Sequence, residues 1–151
     1  MSAKKSNSIL PNSTKVALDL GAGNGLQTIS LAKLGFNVKA IDFNTQLLEE
    51  LKSRSLNLSI EVIKDNIKNL IHYSSSKPEL IGCFGDTLTH LENIEEVRTL
   101  IKESYDILVP NGKLILSFRD YSQELLDTNW FIPVKSDENR ILTCLLEYLP
   151  N

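Results

Sequence analysis

Short apolar runs alternate with amphipathic stretches along the first three quarters of the chain. Strands alternating with helices imply a parallel sheet covered by helices on both faces. The pattern therefore predicts a doubly wound α/β fold with three layers. Strands are predicted for five apolar runs: residues 16–18, 36–41, 58–63, 80–84 and 113–118.

Two of the intervening helices carry clear terminal signals. The first is predicted over residues 26–34 and is stopped by Gly35, a residue favoured at helix C-termini. The helix after the fourth strand is predicted to begin at Asn93, with Glu96 three residues later, which is close to a capping box. Apolar residues at helical spacing predict the inward-facing side chains. These are Leu26, Ile29 and Leu34 in the first helix, and Ile94, Val97, Ile101 and Leu108 in the later one.

The last part of the chain predicts additional strand structure. Residues 130–134 and 141–149 are strand-like and flank a polar loop. An apolar strand without a partner exposes a pairing edge. Three alternatives follow for residues 141–149: pairing with 130–134, pairing with a second copy in a homodimer through this C-terminal strand, or a C-terminally incomplete domain.

Composition and charge narrow the class of protein. The 151 residues are 42% hydrophobic and 23% charged, which predicts one soluble globular domain over residues 16–151 after a disordered lead-in at 1–15. A net charge of −3 argues against a nucleic-acid surface, and no apolar run approaches the roughly 20 residues of a membrane span. Cys83 and Cys144 lack metal-ligand spacing. Reduced thiols and the absence of a secretory signal in residues 1–15 predict a cytoplasmic protein.

Candidate chemistry lies where the strands end. Three glycines, Gly21, Gly23 and Gly25, follow the first strand, and such residues let the backbone turn tightly and let a ligand lie against it. Right-handed crossovers bring the carboxyl ends of all parallel strands to one edge. A site for a nucleotide-type ligand is therefore predicted at this edge. The charged residues that fall at or just past strand ends are Asp19, Asp42, Asp65, Asp86 and Arg119.

A dinucleotide site is one alternative for the glycine loop. An acid about 20 residues beyond such a loop, as Asp42 is, commonly binds a ribose diol. The dinucleotide fingerprint G-x-G-x-x-G/A fails at its third position, however, because Leu26 stands where a small residue belongs and Gly25 falls one position early. The loop therefore disfavours close passage of a pyrophosphate.

Three segments resemble the class I S-adenosylmethionine-dependent methyltransferases. Residues 19–25, DLGAGNG, resemble the D-x-G-x-G-x-G motif of that family. Residues 83–91, CFGDTLTHL, resemble the segment after the fourth strand in small-molecule members similar to the glycine and sarcosine N-methyltransferases. Residues 108–112, LVPNG, resemble the L-x-P-G-G turn, with Asn111 in place of the first glycine. The resemblance covers residues 16–121 and implies strand order 3-2-1-4-5, followed by a C-terminal antiparallel strand or incomplete hairpin.

The resemblance implies S-adenosylmethionine as the cofactor and a role for each matching residue. Asp42 is implied to bind the ribose hydroxyls, and Asp65 and Asn66 to lie beside the adenine ring. Arg119 is implied to hold the carboxylate of a small acceptor, although a solvated surface arginine is nearly as plausible. The implied cofactor-binding residues are Asp19, Gly21, Ala22, Gly23, Asp42, Phe43, Asp65, Asn66 and Gly85; the implied substrate-binding residues are Arg119 and Tyr121.

The sequence leaves open which residue accepts a proton and which class of activity the chain has. An amine acceptor must be neutral when it attacks, so Asp86 or His90 is a candidate to accept its proton, and each could instead only begin a helix. Only residues 1–15 precede the glycine strand, too few for the helices with which family members cover their substrate. Three readings follow: a small-molecule methyltransferase, a cofactor-binding module or pseudo-enzyme that needs a partner chain, and a nucleotide-binding oxidoreductase.

Overall fold

Five parallel strands form the main sheet. The computed structural model describes residues 9–119 in full and two later strands by their backbone. The sheet order is β3-β2-β1-β4-β5 and every neighbouring pair is parallel, which confirms the predicted doubly wound fold and its strand order. The strands are β1 Val16–Leu20, β2 Asn37–Asp42, β3 Ile60–Lys64, β4 Leu80–Cys83 and β5 Lys113–Leu116.

Helices cover both faces of this sheet because alternate residues of each strand point to opposite sides. Ala17 of β1 packs with Leu31 of the first helix, whereas its neighbour Leu18 packs with Leu70 and Leu100 on the other face. Within the part of the chain that is described, no helix is long and apolar enough to cross a membrane. The helices are α1 Leu26–Lys33, α2 Thr45–Arg54 and α3 Ile94–Ile107, with 3-10 helices at Ile67–Ser76 and Thr87–His90.

The inward faces of α1 and α3 differ from the prediction. Leu26 is 67% exposed, and α1 instead buries Thr28 and Leu31. In α3, Ile94 and Ile101 are exposed. The reason is that polar side chains occupy core positions where a hydrogen bond satisfies them: Thr28 Oγ1 donates to Asp19, and Ser104 Oγ donates to the Leu100 carbonyl at 2.7 Å. Counting hydrophobic residues misses such positions. The residues that α3 buries are Leu100, Ser104 and Ile107.

The chain just before β1 is attached to the start of β4. The backbone N–H groups of Asn12 and Ser13 donate to the Glu79 carboxylate at 2.8 and 2.5 Å, and the Thr14 hydroxyl donates to the Lys77 carbonyl at 2.9 Å. The buried carboxylate needs these donors because an unpaired charge in the interior is costly. The disorder predicted for residues 1–15 therefore does not extend to residues 12–14, and residues 1–8 lie outside the described part.

The chain divides into two compact units, Met1–Phe118 and Arg119–Asn151, which are described separately. In the second unit, β6 Phe131–Ser136 pairs antiparallel with β7 Ile141–Leu145, with a register shift between Pro133 and Lys135. This pairing confirms the first of the three alternatives for the last strand-like run. The homodimer and the single domain over residues 16–151 stay predictions.

Candidate functional site at the carboxyl edge of the sheet

The glycine loop lies against the end of β2. The N–H groups of Gly21 and Ala22 both donate to the Ile41 carbonyl, at 2.8 and 3.1 Å, and the Gly25 N–H donates to the Ala22 carbonyl at 2.9 Å. Gly21, Gly23 and Gly25 all have positive φ, a region that side chains rarely adopt. The loop therefore needs glycine at these positions to turn from β1 into α1.

The space around each glycine shows whether its backbone packs against the protein or is open to a ligand. A Cβ on Gly21 would lie 2.3 Å from Thr87 side-chain atoms, and one on Gly25 would lie 2.2 Å from Leu51 Cδ1. These two glycines accommodate the protein's own side chains. By contrast, a Cβ on Gly23 would meet only one side-chain atom, 3.9 Å away, and one on Gly85 would meet nothing within 4 Å. Gly23 and Gly85 thus leave open backbone where a ligand can approach.

Asp42 joins this loop to the start of α2. Its Oδ2 accepts the Gly23 N–H at 2.8 Å, and its Oδ1 accepts the Asn44 N–H at 2.8 Å. Asn44 in turn caps α2 by accepting the Leu47 N–H at 3.2 Å. Because a carboxylate offers about four acceptor positions, each oxygen of Asp42 retains capacity for one more donor. That capacity suits a vicinal diol.

Asp19 lies beneath the loop rather than at the surface. Its carboxylate is in a residue only 1% exposed and accepts the Thr28 hydroxyl at 2.5 Å. Burial, assisted by the nearby Asp42 charge, outweighs the hydrogen bonds from Thr28 and raises the pKa of Asp19 to about 6. Gly25 gives α1 no side-chain cap. Asp19 therefore contacts the start of α1 instead of open ligand space.

Asp65 and Asn66 begin the 3-10 helix after β3. The Asp65 N–H donates to the Asp42 carbonyl at 3.1 Å, which places Asp65 next to the acid of β2. The Tyr73 hydroxyl, with Asn69 and the Asn66 N–H, lowers the pKa of Asp65. Asn66 accepts the Lys68 N–H at 3.0 Å and so caps this helix. Both residues thus have local structural partners at the predicted edge.

The segment after β4 contacts the glycine loop through a threonine. Thr87 packs on Gly21, and the preceding Asp86 is half-buried at the start of the short 3-10 turn. The Asp86 carbonyl accepts the Thr89 N–H at 3.0 Å and its hydroxyl at 2.6 Å. His90, the last residue of this turn, is exposed. Thr87 therefore brings the segment that carries Asp86 and His90, the two candidate proton acceptors, against the glycine loop.

The three remaining predicted site residues differ in where they lie. Phe43 follows Asp42 directly and is 69% exposed, so its ring is available at the edge. Arg119 is exposed and follows β5 in the chain, but it begins the second compact unit. Tyr121 lies outside the described residues. The substrate-binding roles of Arg119 and Tyr121 stay predictions.

Sequence reasoning missed four side chains that organise the edge. Thr87 was part of a recognised segment, but nothing in the sequence indicated its contact with Gly21. Tyr73 and Asn69 follow Asp65 by eight and four positions, and helical spacing alone could have suggested only the second. Thr28 resembles any polar helix residue. Their contacts are Thr28 with Asp19, Asn69 and Tyr73 with Asp65, and Thr87 with Gly21.

Comparison with known proteins identifies the class of domain. The family model described as a methyltransferase domain matches residues 17–112, which include the glycine loop and the first four strands and end at the turn before β5. This chain belongs to that methyltransferase domain family. The match confirms the predicted resemblance to the class I S-adenosylmethionine-dependent methyltransferases.

Individual relatives are similar at modest identity. The chain is 26% identical over 109 residues to a glycine/sarcosine N-methyltransferase from Aphanothece halophytica, covering 71% of this chain and 41% of that protein. It is 34% identical over 103 residues to a ubiquinone biosynthesis O-methyltransferase from Xanthomonas euvesicatoria, covering 66% and 41%. The chain therefore spans well under half the length of these curated relatives.

Solved structures show the same fold. The N-methyltransferase NodS from Bradyrhizobium japonicum, in complex with S-adenosyl-L-homocysteine, matches with a TM-score of 0.57 at 23% identity, covering 67% of this chain and 50% of that one. A SAM-dependent methyltransferase from Agrobacterium tumefaciens matches with a TM-score of 0.59 at 15% identity, covering 70% and 39%. At these identities the likeness concerns the fold.

Proposed function

We propose that this chain binds S-adenosylmethionine at the carboxyl edge of its sheet and takes part in methyl transfer to a small-molecule acceptor by in-line displacement. The hydrogen bond between Asp42 and Gly23 is the observation that carries the proposal, because it sets an acid with spare acceptor capacity beside open loop backbone. The bound cofactor would supply an electrophilic methyl group on a sulfonium. The protein's contribution is to bind and orient.

The residues present fit such a cofactor. Asp42 would accept hydrogen bonds from the ribose hydroxyls, and the open backbone at Gly23 would lie against the ligand. The N-cap residue Gly25 has no side chain to cap α1, and the first turn holds no acidic residue, so the N–H groups that Asp19 does not bind suit a ligand carboxylate. Asp65, Asn66 and the exposed ring of Phe43 would line the purine side.

A small amine or amino acid is the acceptor that we favour. The relatives' names include both an N-methyltransferase of glycine and sarcosine and an O-methyltransferase of ubiquinone biosynthesis, which supports a small molecule without distinguishing nitrogen from oxygen. Holding the nucleophile in line with the methyl group would supply much of the rate by proximity. Asp86 or His90 would accept the proton of an amine. Carboxylate binding by Arg119 and Tyr121 stays a prediction from the family resemblance.

Isothermal titration of the full chain with S-adenosylmethionine, S-adenosylhomocysteine and NAD tests cofactor choice. We expect both sulfur ligands to bind and NAD to bind at least about tenfold more weakly. Asp42→Ala should weaken S-adenosylhomocysteine by at least about tenfold, whereas Glu49→Ala, an exposed position on α2, should not change it. Equal affinity of wild type and Asp42→Ala would contradict the ribose assignment, and preferential NAD binding would favour an oxidoreductase.

Methyl release separates turnover from binding alone. Glycine, sarcosine and other small amines are incubated with the chain and labelled cofactor, and labelled product is counted. We expect product with at least one of these amines. Binding without product would favour the alternative, a cofactor-binding module that needs a partner chain to complete its substrate side.

A further inference from the structure

Three donors from a single segment hold the carboxylate of Asp65. Its Oδ1 accepts the Asn66 N–H at 2.7 Å and the Asn69 side-chain amide at 2.6 Å. Its Oδ2 accepts the Tyr73 hydroxyl at 2.7 Å. The Tyr73 ring packs against the buried core cluster that includes Leu70, so the position of the phenol is fixed where it donates this hydrogen bond. The side chain of Asp65 is thereby held in one orientation.

The same hydrogen bonds decide which acceptor position remains. A carboxylate oxygen accepts about two hydrogen bonds, so Oδ1 is fully used by Asn66 and Asn69. Oδ2 has one position left beside the Tyr73 hydroxyl. A ligand that reaches Asp65 therefore meets a single acceptor position, on the oxygen that Tyr73 orients.

The Asp65 carboxylate is ionised and the Tyr73 hydroxyl is protonated, which makes the remaining position on Oδ2 a hydrogen-bond acceptor. The Tyr73 hydroxyl, followed by Asn69, lowers the pKa of Asp65, so the carboxylate is ionised at neutral pH. Burial and the bond to Asp65 raise the pKa of Tyr73 to about 12, so the phenol keeps the proton that it donates. Oδ2 can thus pair with an amino group and would repel a carbonyl oxygen.

Asp65 is also joined to the proposed ribose-binding acid. Its backbone N–H donates to the Asp42 carbonyl at 3.1 Å. A ligand whose ribose is held by Asp42 therefore carries its base toward Asp65. A purine with an amino group at position 6 offers a donor there, whereas a 6-oxopurine offers an acceptor.

We propose that Tyr73 is a positioning residue that, through Asp65, gives this site its preference for a 6-aminopurine over a 6-oxopurine cofactor. This inference rests on the proposed function, because it assumes that the carboxyl edge binds an adenosine-containing ligand. Tyr73 does not touch the ligand in this account. It orients Oδ2 of Asp65 through its hydroxyl.

Two ligands that differ only in their purine base test this proposal. Dissociation constants of S-adenosylhomocysteine and of its deaminated analogue, in which hypoxanthine replaces adenine, are measured by titration calorimetry for the full chain. We expect wild type to favour the adenine compound by at least about tenfold. Tyr73→Phe, which keeps the ring and removes only the hydroxyl, should reduce that ratio at least about threefold. A purely structural role would weaken both ligands equally and leave the ratio unchanged.

Control and second variants keep the test decisive. Tyr105→Phe makes the same chemical change at a well-exposed position on α3 and should leave the ratio at its wild-type value. Asn69→Ala removes the other side-chain donor and should also reduce the ratio, which covers the case in which Tyr73→Phe does not fold. An unchanged ratio in folded Tyr73→Phe overturns the inference, as does a wild type without preference. A wild type that binds neither compound overturns the proposed function itself.

Discussion

Gly23 donates its backbone N–H to Oδ2 of Asp42 across 2.8 Å, and this bond joins the glycine loop after β1 to the end of β2. The two residues are 19 positions apart in sequence. The other oxygen of Asp42, Oδ1, accepts the Asn44 N–H at the start of α2. One carboxylate therefore holds together the loop, a strand end and a helix start.

Asp42→Asn should loosen this junction while keeping the side chain's shape. The single amide oxygen can accept from Gly23 or from Asn44, but its NH2 group faces the other donor. We expect a loss of about 1–3 kcal/mol in the free energy of unfolding, because one partly buried N–H loses its acceptor. Urea denaturation measures the change. Glu49→Gln is the matched control, and an equally small effect of both substitutions would refute a joining role for Asp42.

Asp19 should make stability depend on pH. The pKa of Asp19 is about 6 in the folded protein against an ordinary value of 3.8, so between these pH values the folded state holds a proton that the unfolded state has lost. Stability should therefore fall as pH rises from about 4 to about 6 and remain lower above that range. Asp19→Asn does not titrate and can still accept the Thr28 hydroxyl.

The Asp19→Asn protein should accordingly be more stable than wild type near neutral pH by an amount on the order of 1–3 kcal/mol. At about pH 4 the two proteins should have nearly the same stability. Denaturant unfolding at both pH values measures the difference. A free-energy difference that does not change with pH would show that Asp19 is not the titrating group.

Gly25 and Gly85 should respond differently to alanine. Both have positive φ, which costs about 1 kcal/mol for alanine. Only Gly25→Ala also places a methyl group 2.2 Å from Leu51 Cδ1, so it should lose about 2–4 kcal/mol in total. Gly85→Ala should show the backbone cost alone but weaken S-adenosylhomocysteine, because its methyl group would occupy open space at the edge. Thermal melting and ligand titration of both variants separate these effects, and equal melting temperatures would contradict the packing argument.

Glu79 should anchor the segment before β1. Burial raises the pKa of its carboxyl, but hydrogen bonds from Ser13, Asn12 and Lys15 together lower it below the usual value. Its contribution is therefore present at neutral pH and is lost as pH falls through the folded-state pKa. Glu79→Gln should reduce stability by about 1–3 kcal/mol and hasten proteolysis at residues 9–13. Glu50→Gln, exposed on α2, is the control, and unchanged cleavage would refute the anchor.

The fold and the location of the site could be predicted from local patterns. Apolar runs of strand length alternating with helices specify a parallel sheet, and the handedness of crossovers then places the residues after β1, β2, β3 and β4 at one edge. Asn93 was predicted to begin a helix and is the N-cap of α3. These features depend on residues close together in the chain, so the sequence carries their signal directly.

The buried faces of the helices could not be predicted in the same way. α1 turns Thr28 inward and Leu26 outward because Asp19, on a different element, satisfies the threonine hydroxyl. The same reason applies at the edge: Thr87 packs on Gly21, 66 positions earlier in the sequence, and no local pattern encodes that contact.

Local sequence patterns are enough to specify a glycine-loop α/β domain whose acidic residues follow its strands. The role of each acid depends on tertiary contacts: Asp19 is buried against Thr28, Asp42 accepts a hydrogen bond from Gly23, and Asp65 is oriented by Tyr73. The physical reason is that a carboxylate's role depends on which donors surround it and how much water it has lost. Both are set by packing between elements that are distant in the chain.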